Sequence, residues 1–424
     1  MSKSKEPQLK QPPTKRQRSQ WQKDALRQRI IGIIGVVVIV VSVSIVASGW
    51  LINQYIPIDR HMGQTVMEVD GKKISMGYFV DLISWYCKDY RYSWYAEWYL
   101  DYTESSIVDI TLINTLGPKL GANVTDADVK TYMAAVGMPN NSAMRDYARS
   151  MLIAQRLRDD YFGPNIPVTA EYRDVVAMFL ESQSQVDEIR ARINAGESFS
   201  DIATEYSLED TTKENGGALG NHSKGIFDYT LNSTGFDDAI FSQTVGNWGV
   251  YYDDSQSKNL GYWLIKITQF NPEDPDSVRI SGILLTSLDE AEMVKSSLDR
   301  GGNFTTLAET YSQHWSEEDG DDLGWISWGS SAAYSDFVFA EDATLGKVSE
   351  PIQDTSISTE GGYWLYRVLS STPNKDVTSE DRADLITVAF QNWVDSEKEN
   401  LDNFAIVNHF NDEKRAFACQ RVEG

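Results

Sequence analysis

The sequence predicts an α+β protein that combines an N-terminal transmembrane helix, a helical module, two tandem α+β domains and a C-terminal helix. Three observations predict this organisation. A long uncharged apolar run follows a basic segment, the strand motif Gly-Tyr-Trp-Leu occurs at 261–264 and again at 362–365, and each copy closes a similar order of strands and helices. A chain of 424 residues, 41% of them hydrophobic, is long enough to form several cores.

The predicted transmembrane helix covers residues 30–52, which carry no charged side chain. A helix of that length spans about 35 Å, and a hydrocarbon core is about 30 Å thick. Residues 1–29 form a basic tail with nine Lys or Arg against two acidic residues, so the positive-inside rule predicts a cytoplasmic tail and an extracytoplasmic remainder. The alternative is a signal peptide cleaved near Val46-Ala47-Ser48, although the apolar run exceeds the usual signal core of about 7–15 residues.

The formal net charge of −24 excludes one class of partner. Because the first 29 residues are basic, the acidic excess lies in the extracytoplasmic part, which would repel phosphate backbones, so nucleic acid is not an expected partner. The two cysteines, Cys87 and Cys419, and the four scattered histidines lack the spacing of a metal site. No metal or other cofactor is expected.

Residues 60–170 are predicted to form the helical module. A hairpin with a turn at Asp70-Gly71 is followed by Ser75, a helix-capping residue, and further helical patterns continue to the prolines at 164 and 167. Aromatic residues are dense between positions 78 and 102. They form either a packing surface between helices or an adhesive face for unfolded polypeptide.

The two repeats are found by aligning residues 186–220 with 291–324, which share Phe, Tyr-Ser and Leu-Gly landmarks at matching positions. Each repeat reads as strand, helix, Gly-rich turn, helix, strand, which is the pattern of a small α+β domain. The predicted domains cover 171–270 and 275–372. Residues 373–424 follow them, with one long helix expected from 379 to 411.

The repeats resemble parvulin-type (PpiC) peptidyl-prolyl isomerase domains. The first carries "AGESFSDIATEYS", "NGGALG" and "GYWLIKI", and the second carries "GGNFTTLAETYS", "DDLGW" and "GYWLYRV". The earlier stretch "VMEVDGKKISMGYF" is similar to the helical region of extracytoplasmic foldases of the SurA and PrsA type. This resemblance implies a foldase whose partners are unfolded or nascent exported polypeptides.

The resemblance also implies that residues 65–165 and 379–411 form one split module, from which the repeats project. That arrangement brings Cys87 and Cys419 into the same module. A disulfide bond between them and two separate thiols both remain open.

The family's isomerase chemistry requires a polar cluster that eases rotation about a bond with a barrier of about 18–20 kcal/mol. In the family pattern, this cluster contains a His on the first strand, a Cys or Asp after Tyr-Ser and a His on the last strand. Both histidines are replaced in both repeats: the first-strand positions are assigned to Met178 and Gly282, and the last-strand positions to Trp263 and Trp364. The candidates are Glu209 and Asp210 for the acidic group, and Phe236, Met178, Trp263, Phe241, Tyr334, Trp364, Gly282 and His314 for substrate binding.

The two tryptophans leave two interpretations open. Each fills what would have been the active cleft, or each lines an apolar groove for peptide. We therefore expect a membrane-anchored foldase or chaperone with weak or no isomerase activity. The alternatives are an active isomerase that uses Phe236 in the first repeat, and an envelope protein in which the repeats serve as spacers.

Overall fold

The computed structural model describes residues 61–88, 94–314, 320–400 and 405–422, without the side chains of 94–98. The chain divides into two compact units. The first contains the described residues up to Arg156 together with those from Val394 onward, and the second covers Leu157–Trp393. The predicted transmembrane segment at 30–52 lies outside the described residues, and within them no helix has the length and hydrophobicity needed to cross a membrane.

The first unit contains a small antiparallel sheet, sheet A, with the strand order β11-β1-β2. The turn between β1 and β2 uses Asp70 and Gly71, both at positive φ, which is the backbone conformation of a tight hairpin. Strand β11 comes from the C-terminal segment and pairs Ile406 with Val69. The strands are β1 Thr65–Val69, β2 Lys72–Ser75 and β11 Ile406–Asn408.

Helices make up the rest of the first unit. Ser75 caps the first helix by accepting a hydrogen bond from the Tyr78 amide, as predicted, and Thr125 and Asp128 form a reciprocal capping box on the third. The helices are α1 Met76–Tyr86, α2 Trp94–Leu116, α3 Asp126–Val136, α4 Ser142–Arg156 and the C-terminal α14 Asp412–Val422.

The C-terminal segment departs from the single helix expected over 379–411. Helix α13 covers Ser379–Glu399, and the chain then forms β11 and α14. The β-branched Ile406 and Val407 favour a strand, which pairs with β1. Helix α14 packs against α1 in the first unit, so the chain returns to that unit as the resemblance implies, although the boundary falls inside α13, after Trp393.

The second unit contains two four-stranded antiparallel sheets. Sheet B has the order β4-β3-β10-β5 and sheet C has the order β8-β7-β6-β9. The strands of sheet B are β3 Thr169–Leu180, β4 Ala218–Ser223, β5 Trp248–Lys258 and β10 Thr359–Asp376. The strands of sheet C are β6 Gly261–Phe270, β7 Ser277–Leu285, β8 Asp322–Ser327 and β9 Ile352–Asp354.

The two sheets do not follow the predicted domain boundaries of 171–270 and 275–372. The last strand of the first repeat, β6, pairs with β7 and β9 of the second repeat, whereas β10 of the second repeat pairs with β3 and β5 of the first. Sheet C is therefore contiguous over 261–354 and is inserted into sheet B. The two last strands share the sequence Gly-Tyr-Trp-Leu, which suits either sheet.

The chain passes from sheet B to sheet C between β5 and β6 and returns between β9 and β10, and these two connections lie beside each other. Thr359 donates a side-chain hydrogen bond to the Leu260 carbonyl, and the buried Lys258 ammonium donates to the Gly361 carbonyl. Burial lowers the pKa of Lys258 to about 8. These contacts hold the end of β5 against the beginning of β10.

Helices cover both faces of each sheet. In sheet B, α5 and α6 pack on one face, and α8 and α9 on the other. The first repeat contains α5 Gln183–Asn194, α6 Phe199–Tyr206, α7 Asp210–Glu214, α8 Ile226–Leu231 and α9 Phe236–Ser242. The second contains α10 Leu288–Asp299, α11 Phe304–Tyr311 and α12 Ser335–Val338. The α+β prediction with two repeated domains is confirmed.

Candidate functional site

The predicted site of each repeat lies on the sheet face that carries the Trp of the last strand. We call the space between sheet B and α9 cleft B, and the space between sheet C and α12 cleft C. Cleft B contains Phe179, Phe236 and Trp364, and cleft C contains Trp263, Leu284 and Val338. Because of the strand arrangement, each cleft combines a tryptophan from one repeat with residues of the other.

Trp364 fills cleft B. Its side chain is 0% exposed, stacks on Phe236 with ring centroids 4.8 Å apart, and lies 4.9 Å from the Phe179 ring. The indole Nε1 donates a hydrogen bond to Asp253 Oδ2 at 3.1 Å. A buried indole normally finds such a partner, so this ring is a fully satisfied core residue.

Trp263 occupies cleft C in the same way. It is 3% exposed, and its Nε1 donates to Asp354 Oδ2 at 3.2 Å. Its ring packs edge-on to Tyr334 at 5.7 Å and lies 5.5 Å from His314. Gly282 lies against it: a Cβ atom at this position would be 3.1 Å from the Trp263 ring and 2.5 Å from Leu323. A side chain at position 282 would therefore require Leu323 and the Trp263 ring to shift.

Two aspartates that the sequence analysis missed anchor the tryptophans. Asp253 accepts hydrogen bonds from Ser255, and Asp354 accepts the same pair of bonds from Ser356. Burial alone would raise the pKa of Asp354, but the hydrogen bonds from Ser356 and Trp263 outweigh it and leave the pKa below its ordinary value. The Asp-x-Ser sequence that recurs before each Gly-Tyr-Trp is the sequence feature from which these aspartates could have been identified.

The assignment of Met178 to the first-strand position is wrong by one residue. The Ala177 amide donates to the Gly217 carbonyl and the Gly282 amide donates to the Asp321 carbonyl, which makes Ala177 the equivalent of Gly282. Met178 faces the opposite side of sheet B, where it packs with the α5 and α6 core. A shift of one residue in a strand exchanges its faces.

A capping residue could have fixed this register. Ser182 caps α5 and Ser287 caps α10, so the residue five positions before each cap is the first-strand position. Both first-strand positions therefore carry small residues, Ala177 and Gly282, beside a large indole. In each repeat, a small residue on the first strand leaves room for the large indole that fills the cleft.

The acidic candidates serve as structural residues. Glu209 caps α7: its Oε1 accepts from the Thr211 amide at 2.8 Å and its Oε2 from the Thr212 amide at 2.7 Å. Asp210 is exposed in the first turn of that helix. His314 holds the position equivalent to Glu209 in the second repeat and is exposed.

The proposed proline-binding aromatics are largely inaccessible. Phe236 is 0% exposed between Trp364 and Tyr251, and its assignment to substrate binding is contradicted by this burial. Tyr334 is half-buried against Trp263. Phe241 is the exception among the pocket aromatics of the first repeat, because it is partly exposed and lines two adjoining cavities. Within the described ranges, no group of three or more His, Cys, Asp or Glu is placed to hold a metal ion.

The cysteines of the first unit form no disulfide bond with each other. Cys87 is buried, and its pKa is raised first by this burial and second by the nearby Cys419 thiol. The two side chains therefore lie in the same unit, as the split module implies.

Similarity to known proteins supports the parvulin-type resemblance of the two repeats. A model of the PPIC-type PPIASE domain matches residues 166–271 and 262–368. The foldase protein PrsA of Exiguobacterium sibiricum is 33% identical over 122 residues, which cover 28% of this chain and 38% of that protein. The PrsA of Caldanaerobacter subterraneus is 23% identical over 51% of this chain and 77% of its own length. The chaperone SurA of Burkholderia orbicola is 26% identical over 58% of this chain and 52% of its own length.

A crystal structure of PrsA from Bacillus anthracis aligns over 74% of this chain and 95% of its own, with 11% identity and a TM-score of 0.28. The matched stretches span less than two thirds of the Exiguobacterium and Burkholderia relatives. The paired matches to one domain model agree with the two repeats seen in the sequence. This chain belongs to the parvulin-type (PpiC) peptidyl-prolyl isomerase family and is related to the PrsA and SurA foldases.

Proposed function

We propose that this protein is a membrane-anchored extracytoplasmic foldase that binds unfolded exported polypeptides without catalysing prolyl isomerisation. The observation that carries this proposal is the filling of both clefts by Trp364 and Trp263, each hydrogen-bonded to a buried aspartate. An isomerase must seat a proline ring and surround the twisting amide with polar groups. In cleft B the proline would have to displace Trp364 or Phe236, and the two positions of the family histidines hold Ala177 and Trp364.

The aromatic segment 78–102 supplies the proposed client-binding surface. Part of it belongs to the core, since Tyr78 and Phe79 are buried. Another part faces outward: Tyr102 is exposed and packs edge-on to Tyr86 with ring centroids 5.1 Å apart. Exposed aromatic clusters of this kind bind apolar segments at low conformational cost. The names of the PrsA and SurA relatives support a role in handling unfolded protein.

The proposed location rests on the sequence alone. Residues 30–52 would form a single-pass anchor, with the basic tail of residues 1–29 in the cytoplasm and both compact units outside. Expression with a reporter fused after residue 60 tests this orientation. A reporter that is active only outside the cytoplasm should show activity, and a reporter that is active only in the cytoplasm should show none.

Aggregation of a chemically unfolded model protein tests the client-binding proposal. Residues 60–424 should suppress light scattering at a near-stoichiometric ratio, and replacing Trp94, Tyr95 and Trp98 with Ser should weaken this suppression. The control replaces three exposed aromatics of the second unit with Ser. These are Tyr229, Trp325 and Trp328.

The control variant should protect as well as the wild type. If the triple variant at 94, 95 and 98 stays folded by circular dichroism and still protects fully, the aromatic segment is not the client-binding surface. Loss of protection only in the control variant would place binding in the second unit.

A further inference from the structure

The last strands of the two repeats, β6 and β10, pair with their neighbours in the same register. In sheet B, Trp364 of β10 lies opposite Tyr251 of β5, and in sheet C, Trp263 of β6 lies opposite Ile352 of β9. Two residues before each tryptophan, a glycine lies opposite the aspartate that accepts the indole hydrogen bond. Each last strand therefore offers the same pattern of pairing to the third strand of a repeat, β5 or β9.

The two sheets also have the same strand order. In both, the order is second, first, last and third strand of a repeat, and only the last strand comes from the other repeat. Each repeat nevertheless contains a full set of four strands, β3–β6 in the first and β7–β10 in the second. The strands of one repeat alone would therefore suffice to build either sheet.

The distance along the chain between the third and last strands is the same in both repeats. The aspartate of each third strand lies eight residues before the glycine of the last strand that follows it, Asp253 before Gly261 and Asp354 before Gly362. A connection of seven residues would in both cases let the third strand pair with that last strand, since antiparallel neighbours can be joined directly. The entropic cost of closing the two connections would be similar, because it depends mainly on their length.

Some contacts depend on the exchange of the last strands. Strand β5 continues beside β10 as far as the pairs Ser257 with Glu360 and Lys258 with Thr359. The Gln313 side chain forms two hydrogen bonds with the backbone of Glu360, both at 2.8 Å. Without the exchange, the four paired residues would lie in the two connections and these contacts would be lost. The exchanged arrangement is therefore the more stable one.

We propose that the second unit switches between the exchanged arrangement and a minor arrangement in which β6 completes sheet B and β10 completes sheet C. In the exchanged arrangement the chain crosses between the sheets at 259–260 and again at 355–358, so the two sheets stay together. In the minor arrangement only residues 271–276 connect them, and the two repeats can move independently.

The switch goes beyond the proposed function, because both clefts stay filled in either arrangement. Each tryptophan would bond to the aspartate of its own repeat in place of that of the other. The contacts between the repeats are what the switch changes. Leu208 of the first repeat packs on the core between sheet C and helices α10 and α11, and Ser184 donates a hydrogen bond to Asp289. These contacts open when the repeats separate.

Disulfide trapping in full-length protein in detergent tests the switch. In the exchanged arrangement, Tyr252 lies opposite Tyr363, and Tyr262 lies opposite Gln353. In the minor arrangement, Tyr252 lies opposite Tyr262, and Gln353 lies opposite Tyr363. The Cα atoms of facing residues in antiparallel strands are about 4.5–5.5 Å apart, a distance that a disulfide bond spans. The two natural cysteines are replaced with Ala in every variant.

Four double variants report the two arrangements. Tyr252→Cys with Tyr363→Cys and Tyr262→Cys with Gln353→Cys report the exchanged arrangement, whereas Tyr252→Cys with Tyr262→Cys and Gln353→Cys with Tyr363→Cys report the minor one. The matched control is Tyr252→Cys with Gln353→Cys, because these residues face each other in neither arrangement. Cross-links that form with oxidised glutathione are identified by mass spectrometry of proteolytic peptides.

The pairs for the exchanged arrangement should cross-link first. The pairs for the minor arrangement should cross-link within one chain and about ten- to a thousandfold more slowly, since a minor state is typically populated to about 0.1–10%. They should still cross-link faster than the control pair, which forms only through unfolding.

The switch is refuted if the pairs for the minor arrangement cross-link no faster than the control pair. It is also refuted if their cross-links join two chains only, because that result shows exchange between copies of the protein. Tyr262 is buried, so its replacement can impair folding. In that case Gln353→Cys with Tyr363→Cys decides the test, because this variant keeps Tyr262.

Discussion

Replacing Trp364 with His restores the residue type expected on the last strand of an active parvulin domain and tests whether the indole fills cleft B. The indole is 0% exposed, stacks on Phe236 and packs at a tilt against Phe179. Histidine has about four fewer ring atoms, and at roughly 0.8 kcal/mol for each buried carbon the lost transfer free energy is about 3 kcal/mol. Complete truncation of a buried Trp to Ala typically costs about 3–5 kcal/mol, which is consistent with this value. The free energy of unfolding should therefore fall by about 3 kcal/mol.

The assay is urea unfolding followed by far-ultraviolet circular dichroism, which does not depend on the fluorescence of the replaced residue. A change in midpoint at constant m-value reports a change in stability. Trp364→Phe keeps an aromatic ring beside Phe236 and removes the donor to Asp253 together with about three ring atoms. The loss of a donor to a buried acceptor should cost about 1–3 kcal/mol.

The exposed Trp328 provides the matched control. This side chain is 66% exposed, so Trp328→His should change stability by less than about 0.5 kcal/mol. If Trp364→His is as stable as Trp328→His, the indole does not fill cleft B and the reasoning fails. The same result at Trp263 would extend that conclusion to cleft C.

Three further predictions follow from the second unit and from the cysteines. Burial raises the pKa of Asp237 to about 6, so the folded state keeps this proton to higher pH than the unfolded state does. The free energy of unfolding should therefore fall by up to about 3 kcal/mol as pH rises from about 4 through 6. Asp237→Asn should lose this dependence in urea titrations, and an unchanged pH profile in that variant would contradict the prediction. A fragment of residues 261–354 contains all of sheet C and should unfold cooperatively, whereas a fragment of residues 275–372 lacks β6 and should be less stable. A higher free energy of unfolding for the 275–372 fragment would contradict the inserted arrangement. Thiol titration of unreduced, denatured protein should give two thiols per chain from Cys87 and Cys419, and a lower count would show a disulfide.

Local features of the fold could be predicted from the sequence. The hairpin turn at Asp70-Gly71, the cap at Ser75 and the duplicated strand–helix pattern depend on neighbouring residues, and all appear in the structure. The assignment of the last strands to their sheets could not be predicted. Strands β6 and β10 contain the same Gly-Tyr-Trp-Leu sequence, so the choice between sheets depends on long-range pairing and on the connections at 259–260 and 355–358.

The candidate site was predicted in composition but not in its contacts. Both tryptophans were correctly placed on the last strands, but each bonds to the aspartate that lies ten residues before the other tryptophan, a pairing that arises through the exchange of β6 and β10. The error at Met178 arose because an apolar strand buried on both faces shows no alternation that would fix its register. The cavity that Phe241 shares with Ala170 and Leu385 combines segments that are far apart in the sequence, so no local pattern predicted it.

Prolyl isomerisation measured on a short X-Pro peptide with a conformation-specific protease tests the central claim most directly. The uncatalysed relaxation takes tens to hundreds of seconds, and micromolar amounts of the folded protein should leave it unchanged because Trp364 and Trp263 fill both clefts. The same preparation should suppress aggregation of an unfolded client. Acceleration of the relaxation that disappears with Phe236→Ala would show a working proline site in cleft B and would contradict the account.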